Sequence, residues 1–132
     1  MPEPSAIVDR LANRVIGVAL EVHRVLGPGY VEHAYQSAME LELACQRIPF
    51  QSQAPLDVHY KHEPLGTTFR ADLLIDGILL VELKAVESIA PIHVAQVISY
   101  LKASRLTLGL ILNFHEPLMR QGVRRVLPPR GP

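Results

Sequence analysis

The chain has 132 residues, 48% of them hydrophobic, and its 13 basic and 13 acidic side chains cancel to a formal net charge of zero. That length suits one globular domain, no apolar run reaches a membrane span, and the balanced charge withholds the usual electrostatic signal of a nucleic-acid binder unless charge is segregated on one face. One cysteine, Cys45, excludes an intrachain disulfide and a cysteine-based zinc site; an N-terminus, MPEPSAIVDR, without a signal-peptide pattern makes a reducing cytoplasm the expected location.

Residues 1–4 are expected to fray, and Ser5 suits an N-cap. The first helix carries an apolar stripe at spacings of four and three: Ile7, Leu11, Val15, Val18, Val22 and Leu26. Arg10, Arg14, Glu21 and Arg24 occupy its polar face, which reads as solvated. Gly27-Pro28-Gly29 ends the helix, glycine as C-cap and proline unable to continue. A second helix is predicted over Tyr30–Gln46, with Val31, Ala34, Ala38, Leu41 and Cys45 toward the core and Glu32, Tyr35 and Met39 one position round. A carboxylate in the first turn, Glu32, is favoured by the helix dipole whatever else it does. Tyr35 taken alone is a half-buried packing residue, and Cys45 a small core hydrophobe.

Pro49 closes that helix. Leu56, Val58 and Tyr60 alternate with polar neighbours as a strand, and His62–Gly66 reads as a turn. Next comes FRADLLIDGILLVELKA, residues 69–85, in which Asp76-Gly77 separates two apolar runs as in a β-hairpin. Residues two apart share a face of a strand. Ala71, Leu73 and Ile75 with Leu79, Val81, Leu83 and Ala85 therefore form an apolar face, while Asp72, Glu82 and Lys84 share the other with Arg70, Leu74 and Leu80. A two-residue turn would split the apolar set, so the loop must be odd; Ile75-Asp76-Gly77 with a G1 bulge is the expected one. Two carboxylates and an ammonium converging on one face suit a hard cation, Mg²⁺ or Mn²⁺, with the lysine orienting water in a hydrolytic arrangement. A solvated cross-strand ion pair is the simpler alternative reading of the same residues.

Ser88 can cap a third helix with Pro91 in its first turn. Its core stripe is Val94, Val97, Ile98 and Leu101, and His93, Gln96 and Tyr100 stack along another side. Leu106–Asn113 reads as a central strand in which Gly109 marks a close approach by another backbone. Val123–Leu127 is expected to be a short edge strand or an irregular ending, with Arg124 and Arg125 projecting, and 128–132 a disordered tail, leaving about residues 5–127 of a single domain ordered. There is no internal repeat, phosphate-binding glycine loop, nucleophile elbow or paired-histidine zinc helix.

The order α-β-β-β-α-β, with Asp72 on one strand and Glu82-Leu83-Lys84 on the next, closely resembles the PD-(D/E)XK nuclease superfamily. Gly29, Glu32 and Tyr35 match the GxxExxY spacing that names one family of small proteins within it, and Gln96 with Tyr100 matches the QxxxY motif of its exonuclease branch. Glu21-Val22-His23, Tyr100-Leu101-Lys102 and Asn113-Phe114 look like that family too, whereas Ala71 stands where the superfamily's name has proline, a departure common in such proteins. The resemblance implies a restriction-endonuclease-like α/β fold: an αβββαβ core with a central mixed sheet flanked by helices, plus an extra N-terminal helix.

It further implies a Mg²⁺- or Mn²⁺-dependent phosphodiesterase acting on nucleic acid, DNA above all. Asp72, Glu82 and the Leu83 carbonyl would hold the metal, with Glu32 as accessory carboxylate. Lys84 would position the water, Gln96 and Tyr100 would support Lys84 or the scissile phosphate, Tyr35 would close the site, and His93 and Arg70 would neighbour substrate. Zero net charge is the weakness of this reading, since Arg70, Lys102, Arg105, Arg124 and Arg125 would have to gather near the cleft, with a homodimer or a larger protein partner extending it. A non-catalytic or partner-dependent binding module on the same fold, or hydrolysis of another phosphate compound, are the alternatives.

Overall fold

The computed structural model describes residues 3–129; the fraying expected at residues 1–2 and 130–132 lies outside them. Helices α1 (Ala6–Leu26) and α2 (Glu32–Cys45) precede strands β1 (Phe50–Tyr60), β2 (Glu63–Ile75) and β3 (Leu79–Lys84); α3 (Pro91–Ser104), β4 (Gly109–Asn113), a 3₁₀ turn (Met119–Gly122) and β5 (Val123–Val126) follow. The five strands form one mixed sheet in the order β1-β2-β3-β4-β5, with only β3 and β4 parallel among the described residues. A parallel pair needs a crossover, and α3 is that crossover. This is the α/β architecture the sequence implies.

The sheet has a core on each face. On one, Leu73, Ile75, Leu79, Val81, Leu83, Leu110 and Leu112 pack against α1 and α2; on the other, Ala54, Leu56, Ala71, Leu80 and Ile111 pack under Val97 and Leu101 of α3. β3 up to Val81 and β4 up to Leu112 are apolar on both faces, as suits strands that helices cover on both sides. Gly109 sits under α3, where a Cβ would lie 2.7 Å from Val97 Cγ1. The close neighbour is thus a helix side chain rather than another backbone.

Ser5 caps α1 as expected, its Oγ accepting from Val8 N at 3.2 Å. Val8, not Ile7, takes the first-turn core position, and Ile7 is 63% exposed. The predicted phase of α2 is wrong. Val31 and Leu41 are 73% and 71% exposed and Cys45 is exposed, while Tyr35, Met39 and Leu43 at spacings of four are fully buried. The adjacent stripe holds the larger side chains, and burying those removes more apolar area from water.

β1 and β2 are longer than predicted. The chain reverses through Lys61 and His62, both at positive φ, so the expected turn at His62–Gly66 is instead the start of β2. At the β2–β3 turn, Asp76 and Gly77 both have positive φ, Ile78 N donates to Ile75 O at 3.0 Å, and Ile75 pairs with Leu79. The loop is therefore Asp76-Gly77-Ile78 rather than Ile75-Asp76-Gly77, shifted by one residue but odd, as the apolar parity demands. Ala71 departs from the predicted face. It packs toward α3 while Leu73 packs toward α2, because alternation breaks at Asp72, opposite Gln53 with φ of 50°.

α3 starts at Pro91 with Ala90 as N-cap, two residues beyond Ser88, since a cap must directly precede the first helical residue. β4 begins at Gly109, not Leu106, and β5 ends at Val126.

Candidate active site

The β2–β3 ladder runs only over Ile75, Leu74 and Leu73, paired with Leu79, Leu80 and Val81. At the next position the strands part, and side chains take over the backbone's bonds. Asp72 N donates to Glu82 Oε1 at 2.9 Å, and Leu83 N donates to Asp72 Oδ2 at 2.8 Å. Each carboxylate satisfies an amide on the opposite strand. The pair is thus fixed to the backbone rather than carried on free rotamers.

This mutual capping brings two carboxyl groups together in a mostly buried place. Burial, and then the Asp72 charge, push the Glu82 carboxyl up to about 8, opposed by the Asp72 amide and by Lys84. Lys84 is two residues along β3 on the same face and half-buried. Its backbone is held at the end of the sheet, where Lys84 O accepts from Phe114 N at 2.9 Å.

Glu32 arrives from the first turn of α2. Its residue surface is exposed, yet its carboxyl is crowded enough that desolvation raises its pKa; Lys84 and His93 pull the other way and Asp72 adds to the rise. Glu32, Asp72, Lys84 and His93 therefore share one electrostatic neighbourhood. Gly29 and Tyr35 explain how Glu32 gets there. Gly29 has φ of 112°, a conformation that favours glycine. Tyr35 is fully buried and stacked on Phe114 with centroids 4.4 Å apart; its hydroxyl donates to Gly27 O at 2.6 Å and accepts from Tyr30 N at 3.2 Å. It locks the turn that launches α2. The expectation that Tyr35 faces substrate is thereby corrected.

α3 supplies the opposite wall. Tyr100 is half-buried, tilted against Phe69 with centroids 5.0 Å apart, and its phenol is held protonated to higher pH by burial and then by the charges of Glu82 and Asp72. His93 caps its own helix: Ala90 N donates to His93 Nδ1 at 2.9 Å. With Nδ1 accepting, a neutral ring carries its proton on Nε2. Gln96 is exposed between them and makes no hydrogen bond among the described residues. Arg70 is exposed, on the opposite face of its strand from Phe69 and Ala71, and its guanidinium donates to Gln53 O at 3.3 Å; its contact is with β1 rather than with the carboxylates. The Leu83 side chain is buried in the α1/α2 core, and its amide is already engaged by Asp72.

The cations divide between the faces. Arg125 pairs with Asp9 of α1 at 2.6 Å, Arg124 lines a hollow shared with Pro91 and Val94, and Lys102 and Arg105 line a cleft beside Phe69.

Two supporting side chains escape sequence reasoning. Gln36 is buried, and its Nε2 lies 2.7 Å from Glu40 Oε2, 3.0 Å from Asp72 O and 3.3 Å from Ser52 Oγ, bracing the β2 backbone at the carboxylate. Asn113 is buried at the end of β4; its Oδ1 accepts from Val86 N at 3.1 Å and its Nδ2 donates to Val86 O at 2.9 Å, fastening the segment that follows Lys84. A polar amide closing an apolar strand is the signal that could have marked Asn113; Gln36 has no such signal.

The family model of the PD-(D/E)XK nuclease superfamily matches residues 9–126. This chain belongs to the PD-(D/E)XK nuclease superfamily. No curated protein and no solved structure matches it. The superfamily carries a nuclease-like hydrolytic function on nucleic acid and commonly uses divalent metal ions, and among the described residues no helix is long and apolar enough to cross a membrane.

Proposed function

We propose that the protein is a Mg²⁺- or Mn²⁺-dependent deoxyribonuclease of the GxxExxY group, a cytoplasmic protein whose single domain spans the chain. The observation that carries this reading is the exchange of backbone bonds between Asp72 and Glu82 where β2 and β3 part. The donor set fits a hard divalent cation: two carboxylates are fixed beside each other by the backbone amides of the opposite strand, and burial, then the Asp72 charge, raise the Glu82 carboxyl. Asp72 and Glu82 would hold the ion, joined by the Leu83 carbonyl and by Glu32. When bound, it supplies Lewis-acid polarisation of the phosphate and a more acidic water.

The remaining roles belong to the chain. Lys84 orients the attacking water and stabilises negative charge developing on the phosphodiester. The Tyr100 phenol and the Gln96 amide donate to Lys84's partner oxygen or to the scissile phosphate. His93 holds the start of α3, and so the placement of both.

The test is cleavage of internally and end-labelled linear duplex, single-stranded and branched DNA with Mg²⁺ or Mn²⁺, beside Asp72→Asn and Lys84→Ala. Each substitution is expected to lower the rate about 100-fold or more, the loss typical of removing one preorganised charge stabiliser. Native and variant preparations that behave alike would overturn the reading in favour of a binding module on the same fold.

A further inference from the structure

Beyond Leu73 the β1–β2 hairpin outruns β3 and continues as a two-stranded arm to its reversal at Lys61-His62. The C-terminal half of α3 lies along one side of this arm. Between them is a cleft of about 540 Å³ lined by Val58, His59, His62, Phe69, Lys102 and Arg105, with the Ser99 hydroxyl on its helical wall. No carboxylate lines it, although Asp57 and Glu63 stand on the same arm, and none among the described residues pairs with Lys102 or Arg105. A cation in the last turn of α3 answers the helix dipole. Lys102 suffices for that, which leaves Arg105 and two imidazoles unexplained in a chain whose formal net charge is zero.

The cleft also has a direction. Phe69 lines it and touches Tyr100, whose phenol feels the charges of Glu82 and Asp72. Lys102 is six residues beyond Gln96, about 9 Å of helical rise, or two to three nucleotides at roughly 3.4 Å each along one strand. A phosphate held by Lys102 and Arg105 would therefore belong to the strand whose scissile bond lies at the carboxylate pair. Phe69 supplies the apolar surface on which a base or sugar can rest.

We propose that this cleft is the anchor for the phosphodiester backbone of the substrate strand, a phosphate-binding site distinct from the metal-binding carboxylates. The proposal rests on the nucleic-acid reading above and deepens it by assigning the side on which the strand leaves. It accounts for strand binding by a protein with no net positive charge, because Lys102 in the last turn of α3 and Arg105 just after it are gathered on one cleft.

The test measures binding without hydrolysis. Anisotropy of a labelled single-stranded 20-mer is followed in EDTA from 50 to 200 mM salt, using the full chain and a Lys102→Gln/Arg105→Gly double variant. Arg105 has φ of 59°, so glycine relaxes rather than strains that position. The control is Arg10→Gln/Arg47→Gly, equal in charge, on α1 and after α2, with Arg47 also at positive φ (57°). The cleft variant is expected to bind about tenfold more weakly at low salt and to reduce the slope of log K against log salt by about 1.4, two phosphate contacts at roughly 0.7 each. The control should leave both unchanged.

Equal weakening by the two double variants, no change in either, or no binding by the native chain would overturn the proposal. Cleft-dependent binding without metal-dependent cleavage would support it while removing the nuclease reading. Cleavage that both double variants retain with native KM and salt slope would overturn the cleft and leave the nuclease reading in place.

Discussion

Two tyrosines, one on each helix beside the carboxylates, occupy corresponding places in short motifs and do opposite work. Tyr35 of α2 is fully buried, sandwiched on Phe114, and spends its hydroxyl on the backbone of the Gly27–Tyr30 turn. Tyr100 of α3 is half-buried, its hydroxyl makes no hydrogen bond among the described residues, and the charges of Glu82 and Asp72 act on it. Spacing alone does not separate the roles. What separates them is what lies on the far side of each helix: a covered core under Tyr35, an open crotch between strands beside Tyr100.

The largest break in that symmetry should come from truncation. Tyr35→Ala is expected to cost about 3–5 kcal/mol, the range for deleting a buried aromatic, measured by urea denaturation with metal absent. Tyr35→Phe keeps the stack but strands the Tyr30 amide and the Gly27 carbonyl, at about 1–3 kcal/mol. A Tyr35→Phe protein as stable as the native chain would mean the hydroxyl does not hold the turn.

The site side responds to pH rather than to packing. In the unfolded chain Glu82 titrates near 4.5, and in the folded metal-free protein at about 8. Between those values the folded state keeps a proton that the unfolded chain has lost, so stability should fall as pH rises from about 4.5 to 8 and level off above. Thermal melts in EDTA should lower Tm by several degrees across that window, and Glu82→Gln should flatten the slope. If Mg²⁺ or Mn²⁺ binds this pair it displaces the same proton, and the rise in Tm with metal should then be larger at pH 8 than at pH 6. A metal effect independent of pH would place the ion elsewhere.

Asn113→Ala tests the tie behind Lys84. It removes both partners of the Val86 backbone, and leaving those groups unpaired should cost about 2 kcal/mol. A cleavage rate that falls further than the stability loss explains would assign Asn113 a positioning role.

How much of this could be read from residues alone follows the strength of the local constraint. The carboxylate face was legible from the alternation of β3 and of β2 from Leu73 to Ile75, although the break at Asp72 turns Ala71 away; an error of one residue in the loop, Asp76-Gly77-Ile78 for Ile75-Asp76-Gly77, left Asp72 and Glu82 facing each other. α2 was misphased because both stripes on it are apolar at helical spacing; the one that is buried holds the larger side chains, and Tyr35 within it also reaches back to Gly27, a contact no periodicity encodes. The start of α3 was misplaced because the sequence offers a good capping hydroxyl at Ser88 while the cap is made by an imidazole from inside the helix. Half of the arm was missed for a related reason: Leu56–Tyr60 alternate and read as a strand, but the start of β2 is exposed on both sides, so no alternation marks it and it reads as a turn.

The smallest expected change is also the sharpest test of the contrast. Tyr100→Phe removes a hydroxyl without a hydrogen-bond partner among the described residues and keeps the ring on Phe69, so stability should stay within about 0.5 kcal/mol of native. The same hydroxyl is a donor at neutral pH, as any phenol is, and burial and then the charges of Glu82 and Asp72 keep it protonated to still higher pH. If it donates to the phosphate or to the partner of Lys84 during cleavage, its loss should lower kcat/KM about tenfold, the value of one neutral hydrogen bond of roughly 1.4 kcal/mol. A protein with native stability and reduced turnover would then face Tyr35→Phe as its mirror image, destabilised but with unchanged kcat while folded. Should both variants lose stability, or neither lose activity, the two tyrosines would not be divided in this way and Tyr100 would be a packing residue like its counterpart.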